Sequence, residues 1–110
     1  MKVLAIETSC DDTSVAVVDC QGDINNLKFT IVSNVVSSQT KVHKKYGGVV
    51  PNLASREHTK NMLPVLEIAL KEAKINYNNF LKEIDLISTT IGPGLSPSLL
   101  IGSSFAKNLA

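Results

Sequence analysis

The sequence predicts an α/β fold in which helices pack against one sheet. Short runs of β-branched residues recur in the first third of the chain, as in strands, and apolar residues recur every three or four positions further on, as in amphipathic helices. With 44% hydrophobic and 19% charged residues, the 110-residue chain has the composition of one folded domain. The net charge of +1 provides no overall basic field, so tight nucleic-acid binding by this chain alone is not expected.

The strands are predicted from runs that are bounded by turn residues. Residues 2–8 and 14–19 indicate two strands joined by a short polar turn, and Gly22 marks the turn before a third strand at residues 27–37. These three strands predict an antiparallel meander. Residues 84–90 are a fourth β-branched run that follows a helix, and a strand reached through a helical crossover is expected to lie parallel to a strand already in the sheet.

Two long helices are predicted. The first begins at Pro51, because proline is favoured in the first turn of a helix, and Pro64 is expected to kink it or to split it in two. Its buried face is predicted to consist of the apolar residues at helical spacing, which are Met62, Leu63, Leu66, Ala69, Leu70 and Ala73. The second helix is expected to have Ser96 as its N-cap and Pro97 as its first residue, and to continue to Ala110. This order of elements is the opening of a ribonuclease-H-like α/β layer.

The segment ETSCDDTS, residues 7–14, places two adjacent carboxylates among several hydroxyl groups in the first turn. The hydroxyls of Ser9 and Thr13 could bind phosphate or carbonyl oxygens, whereas Asp11 and Asp12 would repel an anion unless a cation or a proton lay between them. The segment therefore has the composition of half a nucleotide or acyl-phosphate site. The alternative is structural, because Ser, Thr and Asp are common turn residues.

The segment IGPGLSPSLLIG, residues 91–102, joins the fourth strand to the second helix. A turn formed by Gly92, Pro93 and Gly94 would direct backbone N–H groups and the positive end of the helix towards a bound anion. The segment lacks the lysine of a Walker motif and the third glycine of a dinucleotide fingerprint, so a tight structural turn is the alternative.

A stripe of small residues follows along the second helix. Ser98, Gly102, Ala106 and Ala110 recur at a spacing of four, which would allow another helix to approach closely. The first three of these are predicted to form a partner interface. The neighbour is either the helix from Pro51 or another subunit.

The segment YGGVVPNLASREH, residues 46–58, carries two further candidates. Arg56 could bind a phosphate or a carboxylate, and His58 could act as a base. The alternatives are an ion pair on the helix surface and a packing or capping histidine. The only basic cluster of the chain precedes this segment and is expected to be a solvated loop rather than an RNA contact; it comprises Lys41, His43, Lys44 and Lys45.

Metal and disulfide chemistry have little support in these residues. Cys10 and Cys20 are too few for a disulfide scaffold and lack the spacing of a zinc site, which favours a reducing, cytoplasmic compartment. His43 and His58 have no acidic partner at helical spacing and do not indicate a metal site. No apolar run is long enough to cross a membrane.

Taken together, the order and spacing of ETSCDDT, GGVVPNLASREH and GPGLSPSLLIG closely resemble the N-terminal segment of the tRNA threonylcarbamoyladenosine transferase family, formerly described as glycoproteases or O-sialoglycoprotein endopeptidases. The resemblance covers essentially the whole chain. It implies a half-domain of the actin, Hsp70 and sugar-kinase superfamily, with residues 1–110 as an N-terminal subdomain whose second domain lies outside this sequence. The family's paralogous partner subunit is less similar through residues 10–13 and 47–58, which favours the catalytic subunit.

The resemblance implies a reaction and roles for individual residues. A threonylcarbamoyl group would pass from threonylcarbamoyl adenylate to the exocyclic amine of the adenosine 3′ of the anticodon in tRNA. Asp11 is the first catalytic carboxylate that the resemblance implies, and Asp12 is the second, although it stands where many relatives have Glu. The residues implied to line the substrate cleft are Ser9, Thr13, Gly92, Pro93 and Gly94.

The resemblance also implies a cofactor and partners. A divalent metal, iron or zinc, is expected in full-length members, but the family's His-x-x-x-His motif lies beyond Ala110, so no metal ligand is assigned here. The implied partners are tRNA, the paralogous subunit and an ATPase subunit. The chain alone is expected to be inactive and to self-associate. One alternative is a noncatalytic module that uses its helix face for heterodimerisation; another, an actin-like nucleotide-binding or kinase half, does not account for GGVVPNLASREH.

Overall fold

The computed structural model describes all 110 residues, Met1–Ala110, and contains one mixed four-stranded sheet. The strands in chain order are β1 Lys2–Glu7, β2 Asp12–Gln21, β3 Lys28–Ser38 and β4 Leu86–Thr89. Their order across the sheet is β3-β2-β1-β4, with β1 antiparallel to β2, β2 antiparallel to β3, and β4 parallel to β1. The predicted meander and parallel crossover strand are therefore confirmed.

The helices pack against this sheet. They are α1 Thr40–His43, α2 Pro51–Glu72 and α3 Ser96–Leu109, with short 3-10 turns at Lys44–Tyr46 and Tyr77–Lys82. The two long helices were predicted from the sequence, whereas α1 lies in the segment that was predicted to be a basic loop. None of these helices combines the length and the apolar composition that a membrane span needs.

The core lies between the sheet and the long helices. Leu4 pairs with Val17 and Ile6 pairs with Val15 across β1 and β2, and all four side chains are at most 2% exposed. They share one face because alternate residues of a strand point to the same side. The helical residues buried against this face are Met62, Val65, Leu66, Ala69, Leu70 and Ala106.

Two expectations for α2 are wrong in detail. Of the kink or split expected at Pro64, the split does not occur, because the helix is continuous through that residue. The carbonyl that proline leaves without a helical partner belongs to Lys60, which is exposed, so water can satisfy it. Leu63 is 45% exposed and Val65 takes its place in the core.

The start of α3 also differs from the prediction. Leu95, which has an extended backbone, occupies the N-cap position, and Ser96 and Pro97 are the first helical residues. No side chain caps this end. The Leu95 N–H instead donates to the Ser9 carbonyl, which draws the start of α3 towards the end of β1.

Candidate functional site

The two glycine- and hydroxyl-rich motifs meet where β1 and β4 end, because parallel strands end at the same edge of a sheet. Leu95 N lies 2.8 Å from Ser9 O, and Thr90 N lies 3.2 Å from Ile6 O. A Cβ atom at Gly94 would lie only 2.6 Å from Ser9 O, so the close approach of the two segments requires glycine there. The structure thus brings the predicted residues Ser9 and Gly94 together, and Gly92 and Pro93 lie exposed beside them.

Glu7 ties these segments to each other. Its carboxylate accepts hydrogen bonds from the Ser9 backbone N–H and from the Thr90 hydroxyl. Burial alone would raise the pKa of Glu7, but the hydrogen bonds from Ser9 and Thr90 outweigh that effect and hold the pKa below its ordinary value. Sequence reasoning did not single out Glu7. The sequence signal that could have identified Glu7 is its position at the end of β1, inside the segment ETSCDDTS.

Asp11 and Asp12 lie at the other end of the same turn. Both are partly exposed, and Asp12 is the first residue of β2. Asp11 borders an open cavity of about 330 Å³ whose other lining residues are Thr40, His43, Lys44, Gly47, Gly48 and Val49. The cavity walls therefore come from α1 and the Gly47–Val49 segment rather than from the Gly92–Gly94 turn.

Thr13 is not available to a ligand, which corrects its assignment to the substrate cleft. Its side chain is 0% exposed, and its hydroxyl lies 2.8 Å from Nδ1 of His58. The strand alternation explains this burial, because Thr13 points to the same face of β2 as Val15.

His58 is a buried packing residue rather than an exposed base. It is 0% exposed, and its Nε2 lies 3.0 Å from the Cys10 carbonyl oxygen. A carbonyl can only accept, so Nε2 carries the proton, and Nδ1 accepts from the Thr13 hydroxyl. Arg56, two residues earlier, is exposed and forms no salt bridge.

Gln39, which sequence reasoning missed, joins His58 to His43. Its Nε2 lies 3.2 Å from Ala54 O and 3.4 Å from His58 Nδ1, and its Oε1 accepts from His43 Nε2 at 2.7 Å. Nδ1 of His43 in turn accepts from Val50 N at 3.2 Å. Gln39 and His43 are 1% and 3% exposed, so this polar network is buried, and every member has a partner.

The stripe of small residues on α3 faces the sheet of its own chain, which corrects the prediction of a partner interface. Ser98 is 0% exposed, Gly102 is buried, and Ala106 is 7% exposed. Thr8 Oγ1 donates to Ser98 O at 2.7 Å and accepts from Gly102 N at 3.1 Å. Small side chains at this spacing let the helix lie directly on the end of β1.

The residues present do not fit a metal site. No group of three or more His, Cys, Asp or Glu side chains is positioned to hold an ion. Both ring nitrogens of His43 and of His58 are already engaged in hydrogen bonds. The iron or zinc expected for the family therefore has no assigned ligand in this chain.

The two cysteines are both free, and only Cys10 is exposed. Partial burial and the neighbouring Asp11 carboxylate raise the pKa of the Cys10 thiol above its ordinary value, and the carboxylates of Asp12 and Glu7 act in the same direction. The thiol is therefore poorly suited to act as a nucleophile. The backbone carbonyl of Cys10, by contrast, accepts a hydrogen bond from His58 Nε2.

Comparison with known proteins identifies the family of this chain. The model of the TsaD family, described as tRNA N6-adenosine threonylcarbamoyltransferase, matches residues 30–110. The chain belongs to the TsaD family. The resemblance recognised from three motifs is thereby confirmed.

Individual relatives in the TsaD family match over the whole chain. The tRNA N6-adenosine threonylcarbamoyltransferase of Persephonella marina is 54% identical over 110 residues, covering 100% of this chain and 29% of the relative. The enzyme of the same name from Thermosipho melanesiensis is 53% identical, covering 100% of this chain and 30% of the relative. The chain thus spans less than a third of the length of these curated relatives.

A solved structure supports the fold. YeaZ from Pseudomonas aeruginosa superposes with a TM-score of 0.57 at 23% sequence identity, covering 99% of this chain and 38% of that one. This likeness, together with the mixed sheet and packed helices, agrees with the predicted α/β fold.

Proposed function

We propose that this chain is the N-terminal part of an enzyme that transfers a threonylcarbamoyl group from threonylcarbamoyl adenylate to the exocyclic amine of the adenosine 3′ of the anticodon in tRNA. The proposal is supported by whole-chain identity of about half with proteins that bear this activity in their names. The observation on which it mainly rests is the partly exposed Asp11 carboxylate at the edge of an open cavity.

Asp11 would act on the attacking amine. The amine nitrogen forms a bond to the carbamoyl carbonyl carbon, the bond from that carbon to the phosphate oxygen breaks, and AMP leaves with the electron pair. A carboxylate beside the amine can orient it by accepting a hydrogen bond and can take the proton that the nitrogen loses. Asp12, which begins β2, is the second candidate carboxylate.

Ser9 and the Gly92–Gly94 turn would bind the anionic part of the substrate. The exposed backbone of Gly92 and Gly94 lies beside the start of α3, where unpaired N–H groups favour an anion. Glu7 contributes indirectly by bonding to both Ser9 and Thr90. Ser9 and Gly94 are therefore held in contact before any ligand arrives.

The remaining parts of the proposal concern the whole protein. A divalent iron or zinc ion, the paralogous subunit and the ATPase subunit would engage residues outside this sequence, in the cytoplasm where tRNA is modified. The noncatalytic alternative depended on the small-residue face of α3 as a docking surface. Because that face is buried against β1, the alternative loses its main support.

The test uses the full-length protein, preformed threonylcarbamoyl adenylate and unmodified tRNA. Asp11→Asn keeps the shape of the side chain but removes its charge and basicity, and should lower the transfer rate at least about a hundredfold, the lower range for a general base. Asp23→Asn, in the exposed turn before β3, is the matched control and should be fully active. An Asp11→Asn enzyme as fast as that control would return Asp11 to the status of a turn residue.

A further inference from the structure

His58 contacts both ends of the turn that carries the two carboxylates. Its Nε2 donates to the carbonyl of Cys10, immediately before Asp11, at 3.0 Å. Its Nδ1 accepts from the hydroxyl of Thr13, immediately after Asp12, at 2.8 Å. Residues 10 and 13 are thus joined by a ring that belongs to α2, which is 45 residues or more away along the chain.

We propose that His58 is a positioning residue, which fixes the Cys10–Thr13 turn so that the Asp11 carboxylate faces the cavity formed with α1 and the Gly47–Val49 segment. This inference rests on the proposed function, in which Asp11 at the edge of that cavity acts on the attacking amine. His58 itself does not touch a substrate, because it is 0% exposed.

Gln39 supports the same turn from the other side. Its backbone N–H donates to the Asp11 carbonyl at 3.0 Å, and its side chain lies between His58 and His43. His43 lines the cavity and accepts from Val50 N at 3.2 Å, next to the Gly47–Val49 wall. One buried network therefore reaches both walls of the cavity, and such networks hold a single arrangement when every member is satisfied.

Histidine is the side chain that suits this position. A neutral imidazole presents one donor and one acceptor from opposite sides of a rigid ring, as Cys10 O and the Thr13 hydroxyl require. Glutamine can place an amide N–H near the Nε2 position but leaves Thr13 without its acceptor. Asparagine can place an oxygen near the Nδ1 position but leaves the Cys10 carbonyl without its donor.

These differences define the experiment, performed on the full-length protein. His58→Gln, His58→Asn and Thr13→Val each break one of the two contacts of the ring. Thr59→Ala is the control on the same helix, since the Thr59 hydroxyl bonds only to Ser55 O on the exposed face. Val65→Ala is the stability control, because it removes buried methyl groups of the core without touching the turn.

The expected result is a split between kcat and KM. The three turn variants should lower kcat at least about tenfold, because displacing a reacting group by about 1 Å can cost about a hundredfold in rate. The KM for tRNA should change little, since tRNA binding does not depend on where one carboxylate points. The double variant His58→Gln with Thr13→Val should be no slower than His58→Gln alone, because the two residues share one hydrogen bond.

A second readout does not depend on activity. Cys10 lies in the turn, and its pKa is raised by partial burial and by the neighbouring carboxylates, so the wild-type thiol should react slowly with iodoacetamide at pH 8. Loosening the turn in His58→Gln or His58→Asn should move that pKa back towards its ordinary value and speed alkylation severalfold. Thr59→Ala and Val65→Ala should leave the rate unchanged.

The outcomes separate this proposal from the proposed function. If the turn variants lose kcat only as far as their lost stability explains, as judged against Val65→Ala, and Cys10 reactivity is unchanged, His58 is merely structural and the proposal is wrong. If Cys10 reactivity rises but Asp11→Asn is fully active, the turn is positioned by His58 and the catalytic assignment of Asp11 fails instead. Thr13→Val changes a single hydroxyl and carries the same test should a His58 variant fail to fold.

Discussion

The hydroxyl of Thr8 donates a hydrogen bond to the carbonyl of Ser98 at 2.7 Å, joining the end of β1 to the first turn of α3 across 90 residues of chain. The same oxygen accepts from the N–H of Gly102 at 3.1 Å. This contact places α3 on the sheet and thereby places the Gly92–Gly94 turn beside Ser9. A buried threonine thus helps to hold the two segments of the candidate site together.

Replacing Gly102 by alanine should destabilise the protein. Alanine normally stabilises a helix interior by roughly 1 kcal/mol relative to glycine. Here a Cβ atom would lie 2.5 Å from Thr8 Oγ1 and 3.3 Å from Thr89 Oγ1, so the helix must move away from β1. The net loss should be about 1–3 kcal/mol, the usual cost of overpacking, measured by urea denaturation. Ser103→Ala, on the neighbouring position, is the control, and a more stable Gly102→Ala protein would show that α3 is not held this closely.

The stability of the protein should depend on pH through Glu7. The pKa of Glu7 is lower in the folded than in the unfolded protein, so its contribution to stability is present above the unfolded pKa and is lost as the pH falls through the folded pKa. Glu7→Gln should therefore be less stable than wild type at pH 7, and the difference should shrink on acidification below about pH 4.3, the ordinary glutamate pKa. Urea midpoints of both proteins between pH 7 and pH 3 measure this. Glu67→Gln, on the exposed face of α2, is the control for the loss of a carboxylate.

The 110-residue chain by itself should not modify tRNA. Acyl transfer requires the adenylate, the amine and any metal to be held together, and this chain offers no metal site and spans 29% of a curated relative. The assay supplies preformed threonylcarbamoyl adenylate and unmodified tRNA, with the full-length protein as the positive control. Modified adenosine above the level without protein would contradict this prediction.

The isolated chain is also expected to self-associate through β4. This strand is at the edge of the sheet, and exposed apolar residues lie on it and beside it, including Leu86 at 47% and Ile91 at 81% exposure. Pairing of two such edges would bury apolar surface and satisfy unpaired backbone groups. Sedimentation should show a dimer or larger species that Leu86→Lys weakens and Ile24→Lys, in the remote turn before β3, does not. A folded monomer at all concentrations would contradict the expectation.

Local pattern was sufficient for most of the fold. Alternating β-branched residues in β1 and β2 predict strands because side chains of a strand alternate between two faces, and Pro51 predicts the start of α2 because its ring suits the first helical turn. The helix between β3 and β4 predicts that β4 is a parallel strand, because a chain that returns through a helix re-enters the sheet in parallel, and β4 indeed lies parallel to β1. The motifs in their order also identified the family.

The sequence pattern alone left open which distant part of the chain packs against a given residue. The stripe at Ser98 and Gly102 indicated a close neighbour, but only the return of α3 onto β1 decided that the neighbour is Thr8 rather than another subunit. The sequence predicted a ligand-binding hydroxyl at Thr13, but in the structure α2 places His58 within hydrogen-bond distance of that hydroxyl. Periodicity depends on residues that are close in sequence, whereas a buried polar group bonds to whichever partner the folded chain places within hydrogen-bond distance. That partner is 45 residues away from Thr13 and 90 residues away from Thr8.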